Sequence, residues 1–284
     1  MNTPFKRIGL AITFSPTGKS LLIEARRLVK LFNAEMVLIH VGERTNDSEE
    51  RLKTLISSVG IDINSIELEW ESGDPAKAII KKCYEKNIDL LVAGALEKES
   101  LITYYIGSVA RKLMREAPCS VLILVNPQSE PKGYKKICIS VDFSPECEHT
   151  IKKAYQLAKS ENADELVLIR EFQVPGLAIT VYDSGSSEET ERSRKKWREE
   201  EREKIDVLVS ELNMTGIKIT TESLYGKEGW VAKNFVKEIG GDLFVITSPR
   251  RKLKLLDRLF QHDVEYIFEQ LPCSILLIKP GSTE

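Results

Sequence analysis

Arg7-Ile8-Gly9-Leu10-Ala11-Ile12-Thr13-Phe14-Ser15-Pro16 is answered in the second half of the chain by Lys136-Ile137-Cys138-Ile139-Ser140-Val141-Asp142-Phe143-Ser144-Pro145. Both stretches read as a strand, a turn, and a helix with Pro at its first position. Ser15 and Ser144 carry the hydroxyl that caps such a helix, and the Pro that follows gives up an N–H that would be unpaired anyway. Apolar residues then recur at helical spacing: Leu21, Leu22, Ala25, Leu28, Val29 and Phe32 in one copy, Ile151, Ala154, Leu157 and Ala158 in the other. Each predicted helix, about 16 residues long, has one face for a sheet.

The same landmarks continue in the same order. Asn33-Ala34 and Asn162-Ala163 make short polar turns before the apolar runs Glu35 to Val41 and Glu165 to Arg170. Near-continuous apolar runs suit strands covered on both faces, as in parallel sheets. Gly73-Asp74-Pro75 and Gly226-Lys227-Glu228 each open a helical stretch, and Asp89 to Gly94 matches Asp242 to Thr247. Ala117-Pro118-Cys119-Ser120-Val121-Leu122-Ile123-Leu124-Val125 is echoed by Leu271-Pro272-Cys273-Ser274-Ile275-Leu276-Leu277-Ile278-Lys279. Alternating strands and helices, written twice, predict an α/β chain of two tandem doubly wound domains.

Asn126 to Gly133, rich in Pro, Gln, Ser and Gly, reads as the connection. The expected division is a first domain at 1–127, a linker at 128–134 and a second domain at 135–284 with a longer loop at 172–187. Behind that loop, Glu188 to Arg202 alternates acids and bases three and four apart, which predicts an exposed helix.

Composition narrows the function. Lys plus Arg total 41 against 43 Asp plus Glu in 284 residues, a formal net charge of -2, so no overall basic field draws the chain to nucleic acid or anionic membrane. Its apolar runs are far shorter than the roughly 20 residues of a membrane helix. A cytoplasmic protein is expected. Cys83, Cys119, Cys138, Cys147 and Cys273 are scattered, without metal spacing, and read as free thiols.

The ordered set of Phe-Ser-Pro after the first strand, Gly-Asp-Pro before a helix, Asp-Leu-Leu-Val-Ala-Gly, Gly107-Ser108-Val109-Ala110 and Ala-Pro-Cys-Ser-Val-Leu-Ile-Leu resembles a tandem member of the universal stress protein family. The resemblance covers nearly the whole chain. It implies a five-stranded parallel sheet flanked by helices in each half. It also implies an internal pseudo-dimer with the last strands side by side, which would leave the chain a monomer or a homodimer through another surface.

Family members that bind ATP carry G-x2-G-x9-G-(S/T) after the fourth strand. A glycine lets backbone approach ribose and phosphates, and the closing Gly-Ser presents N–H groups and a hydroxyl at a helix N-terminus. The first copy reads Gly94-Ala95-Leu96-Glu97, then Gly107-Ser108, with Glu97 in place of the second glycine. A carboxylate there opposes a phosphate in sign. The resemblance also places Val41 and Val109 beside the nucleotide, and puts Thr13 where binders have an Asp that meets adenine. Asp142 holds that position in the second copy, but Thr247, Arg250, Gln261 and His262 replace its glycines and serine. There Arg250, Arg251 and His262 are candidates for holding an anion with side chains. The reading is a non-catalytic stress-response module for a small-molecule ligand, with ATP or AMP held weakly in the first copy. Slow ATP hydrolysis is the competing reading. An interaction protein with decayed sites, or a lipophilic ligand under the 172–187 loop, completes the alternatives.

Overall fold

A computed structural model of the chain describes residues 3–98, 103–173, 187–248 and 271–280. The first half runs β1 (Arg7–Ile12), α1 (Gly18–Phe32), β2 (Glu35–Val41), α2 (Asn46–Ser58), β3 (Glu67–Glu71), α3 (Pro75–Glu85), β4 (Leu90–Gly94), a small hairpin of β5 (Leu96–Lys98) and β6 (Thr103–Tyr105), α4 (Ser108–Glu116) and β7 (Ser120–Leu124). The second half repeats the plan with β8 (Lys136–Ser140), α5 (Pro145–Glu161), β9 (Glu165–Phe172), α6 (Ser187–Glu211), β10 (Lys218–Tyr225), α7 (Trp230–Glu238), β11 (Leu243–Thr247) and β12 (Ser274–Ile278).

The large strands form one ten-stranded sheet in the order β3-β2-β1-β4-β7-β12-β11-β8-β9-β10. Each half contributes five parallel strands, and the halves meet where β7 pairs antiparallel with β12, Leu122 opposite Leu276. The expected side-by-side placement of the last strands is therefore what the chain adopts. The seam closes with matching bonds at its two ends: the Val125 N–H donates to Ser274 Oγ at 3.1 Å and the Lys279 N–H to Ser120 Oγ at 3.1 Å.

Alternation along the strands sends side chains into two layers. Leu10, Leu38, Leu122, Ile137 and Leu276 pack under Leu22, Leu52, Ile151 and Ile205 of α1, α2, α5 and α6. Val37, Leu91, Val121, Phe244 and Ile275 pack under Ile79, Leu113 and Val236 of α3, α4 and α7. Both layers run across the seam, so one core serves the two halves on each face.

Local chemistry explains the element ends. Asn33 and Asn162, the residues of the predicted Asn-Ala turns, close α1 and α5 at φ 51° and 50°, a left-handed geometry that Asn tolerates. Asp89 accepts the N–H groups of Lys6 and Arg7 at 2.7 and 3.1 Å, and Asp242 accepts those of Lys135 and Lys136 at 2.9 and 2.7 Å. Those two aspartates pin the entry of β1 and β8. The charged helix is present as α6, carrying an Arg194–Glu191 pair at 3.5 Å and a Lys196–Glu200 pair at 3.8 Å. It docks through buried Ile205.

The two Phe-Ser-Pro turns part company. Ser144 caps α5 by accepting the Cys147 N–H at 3.1 Å, as expected. Ser15 does not cap α1, which begins three residues later, at Gly18. A Cβ at Gly18 would lie 2.7 Å from the Thr13 carbonyl oxygen, so only glycine lets the helix start that close to the strand end. Pro16 and Thr17, released from the helix, extend the turn from Thr13 into a loop rimmed with hydroxyls.

Candidate functional site

That loop borders a cavity of about 340 Å³ at the carboxyl ends of β1, β2 and β4. The position is the one where doubly wound sheets bind ligands, and the volume lies at the lower end of the ~300–1,000 Å³ of small-molecule sites. Thr13, Val41, Gly94, Gly107, Ser108 and Val109 all line it, so six of the sequence-predicted residues converge on one space. Its floor is apolar, built by Ala11, Ile39, Ile79, Ala93 and Leu113. Ser15, Thr17 and Leu96 also face it and were not anticipated from the sequence. The signal for Ser15 and Thr17 was present only in the late start of α1.

At one end stands the N-terminus of α4. Gly107 is its N-cap, with φ -68° and ψ 168°, and among the described residues no side chain caps the first turn. The Arg111 N–H takes the Gly107 carbonyl at 2.9 Å, while the first-turn N–H groups lie beyond the reach of that ladder. An uncapped turn of this kind carries roughly +0.5 of an elementary charge and accepts an anion.

The role of Gly94 differs from the one its motif implies. A Cβ there would meet Leu21 Cδ1 of α1 at 2.9 Å, so the missing side chain makes room for a leucine of the same half. The equivalent pair in the second copy is Thr247 with Thr150, whose hydroxyls bond at 3.0 Å. Glycine with leucine on one side and threonine with threonine on the other are two solutions to the same contact. Glu97 lies in β5 opposite Tyr104; its side chain falls outside the described atoms.

Beneath the cavity, buried His40 sets Nδ1 3.1 Å from the Ile12 carbonyl oxygen, and its ring meets Phe14 and Trp70 at centroid distances of 4.7 and 4.5 Å. This stack supports the end of β1. The cysteines are free thiols, four of them buried. Among the described residues no His, Cys, Asp and Glu groups are placed to hold a metal ion.

In the second copy the described residues at the ends of β8 and β9 bond to one another and to neighbouring elements. Asp142 is exposed and accepts the Ser144 N–H at 2.9 Å and the Ser144 hydroxyl at 2.6 Å, so its carboxylate braces the turn. Phe143 takes φ 59°, a rare geometry for an aromatic residue, beneath the Arg170 guanidinium 5.0 Å from its ring centre. Arg170 also bonds Glu201 at 2.9 Å and the Val141 carbonyl at 3.3 Å. Glu171, at the position equivalent to Val41, is buried and accepts the Ala232 N–H of α7 at 2.8 Å. Arg250, Arg251 and His262 lie outside the described residues, as does most of the 172–187 loop.

Burial pushes the Glu171 carboxyl above its ordinary range, against the pull of the Gly229 and Ala232 N–H groups. A raised native value favours the protonated acid, so this stabilising contribution is complete below the unfolded carboxylate range and is lost as pH rises through the native value. Glu171→Gln should therefore raise the thermal midpoint at pH 7, and the gain should vanish in acid. A thermal-shift series across pH reads both, and an unchanged midpoint at pH 7 would show that the carboxylate is not penalised there.

The sequence profile of the universal stress protein family matches residues 43–125 and 133–279. A universal stress protein of Methanocaldococcus jannaschii is 29% identical over 96 residues, which cover 34% of this chain and 55% of that protein. The chain thus spans about half the length of the curated relatives it matches. Among solved structures, a universal stress protein from Archaeoglobus fulgidus superposes with a TM-score of 0.64 at 15% identity, over 99% of this chain and 100% of that one. A protein of unknown function from Pseudomonas aeruginosa gives a TM-score of 0.68 at 18% identity, over 97% and 93%. Such identities speak for the fold alone. With the family profile matched in both halves, and the same strand order built twice around one seam, the chain belongs to the universal stress protein family.

Proposed function

We propose that the first copy is a non-catalytic binding module for an adenine nucleotide, and that the second copy does not bind one. The observation that carries this reading is the meeting of an apolar cleft with the uncapped first turn of α4 in a single cavity. The cleft suits the faces of a base. The hydroxyls of Thr13, Ser15, Thr17 and Ser108 suit ribose and phosphate oxygens. Among the described lining residues none is a carboxylate, lysine, arginine or histidine able to orient a water or carry a proton, which favours holding over turnover. The residues present fit an adenine nucleotide in the first copy, and no step of chemistry is assigned to it. No helix among the described residues is long and apolar enough to cross a membrane.

Titration calorimetry of the full chain with AMP and ATP, paired with a phosphate-release assay, tests the reading. The expected result is saturable heat with an adenine nucleotide at a Kd of roughly 10–1,000 μM, or about -4 to -7 kcal/mol, without phosphate release above buffer. Absence of heat with both nucleotides would refute the binding role, and steady release of phosphate would refute the non-catalytic one.

A further inference from the structure

We infer that Lys279, from the second half, is a positioning residue for the first-copy cavity: it grips the C-terminal end of α4 and so sets that helix's first turn against a nucleotide's phosphate. This rests on the adenine-nucleotide reading above and names what the second half contributes to that site.

The seam supplies the geometry. Because β12 runs antiparallel to β7, its two ends reach the two ends of α4. Ahead of β12, the Leu271 N–H donates to the Tyr104 carbonyl at 3.0 Å, just before the N-cap Gly107. Behind β12, the Lys279 N–H donates to Ser120 Oγ at 3.1 Å, and Lys279 Nζ donates to the Ala117 carbonyl at 3.0 Å. Ala117 is the C-cap of α4.

That ammonium bond acts on the helix as a body. Ala110, Leu113 and Met114 bury one face of α4 in the core layer, and packed helices can still shear along such a face. Directional bonds at the helix ends oppose a slide along the axis. At the cavity end Arg111 Nε donates to the Ile106 carbonyl at 2.9 Å, within the first half. At the far end Lys279 supplies the bond from the second half. Charge works in the same sense. The last carbonyls of a helix carry roughly -0.5 of an elementary charge, and a cation beside them leaves less opposing charge behind the positive first turn.

The grip runs one way across the seam. Lys279 ends the Leu-Pro-Cys-Ser strand, and its counterpart at the end of the Ala-Pro-Cys-Ser strand is Val125. The Val125 N–H makes the matching bond to Ser274 Oγ at 3.1 Å, but a valine side chain has no donor to send across. The half that holds the cavity is the half that receives the ammonium.

Calorimetry with AMP and with adenosine, which lacks the phosphate, on the wild-type chain, Lys279→Met and Lys279→Arg tests the inference. Lys279→Met should weaken AMP binding by about five-fold and leave adenosine binding unchanged. Lys279→Arg should restore most of the AMP affinity, since arginine also bonds terminal helix carbonyls. The backbone bond to Ser120 survives both substitutions, so the seam stays closed. Unchanged AMP affinity in Lys279→Met, a parallel loss of adenosine, or no recovery in Lys279→Arg would overturn the positioning role while sparing the nucleotide site. Failure of the wild type to bind AMP would overturn the underlying reading and the positioning role with it.

Discussion

Arg27→Ala should lower the stability of the chain by about 3–5 kcal/mol, read from the midpoint of a urea melt at constant m. Arg27 projects from α1 toward α5 and bonds both oxygens of Glu161 at 2.8 Å, while also reaching Glu24 at 2.8 Å. The side chains of Glu161 and Glu24 are only 2% and 6% exposed. Burial works against the guanidinium's charge, yet hydrogen bonds to Glu161 and Glu24 hold its pKa above the ordinary value. Truncation would leave two like charges buried together without a counter-ion. The penalty comes from orphaning them, because an intact buried pair contributes little over a hydrophobic substitute. Replacing Glu24, Arg27 and Glu161 together by Leu, Met and Leu should therefore recover most of the loss. A loss below about 1 kcal/mol for Arg27→Ala would place water around the carboxylates.

Gly107→Asp should abolish nucleotide binding without unfolding the protein. The φ and ψ of Gly107 are open to any residue, and an Asp at this N-cap would itself accept first-turn N–H groups of α4. Its Cβ would press on the end of the flexible, half-exposed Leu96, which can yield. The new carboxylate would occupy the anion seat and repel a phosphate approaching it. A loss of about 100-fold, near 2.7 kcal/mol, is expected in calorimetry, with a thermal midpoint at or slightly above wild type. Undiminished affinity would mean that the ligand does not use the N-terminus of α4.

Much of the architecture could be read directly because duplication repeats its landmarks. The two Phe-Ser-Pro turns, the two Asn-Ala turns and the paired final strands located the two halves of the sheet, while the seam between them followed from the family resemblance. The cavity was legible in part through the family resemblance: Gly94, Gly107 and Ser108 belong to its spaced motif, and the fold brings them together. What escaped was settled by contacts distant in sequence. Identical Phe-Ser-Pro segments start their helices at different points, because Gly18 can close on the Thr13 carbonyl and Cys147, its counterpart, occupies a helix already capped by Ser144. The purpose of Gly94 depends on Leu21 in another element. Leu96 gains its place from a hairpin anchored on Leu271, and Arg27 meets a carboxylate 134 residues away. Side-chain pattern along a single strand or helix carries none of that information.

The most direct test of the proposal that the first copy holds an adenine nucleotide and the second does not is a crystal structure of the full chain grown with saturating AMP. The account predicts nucleotide density in the first half alone, between Gly94 and the Gly107–Ser108 turn, with Glu171 still bonded to the Ala232 N–H in the second. Nucleotide density beside Asp142, or two empty halves at saturating ligand, would contradict it.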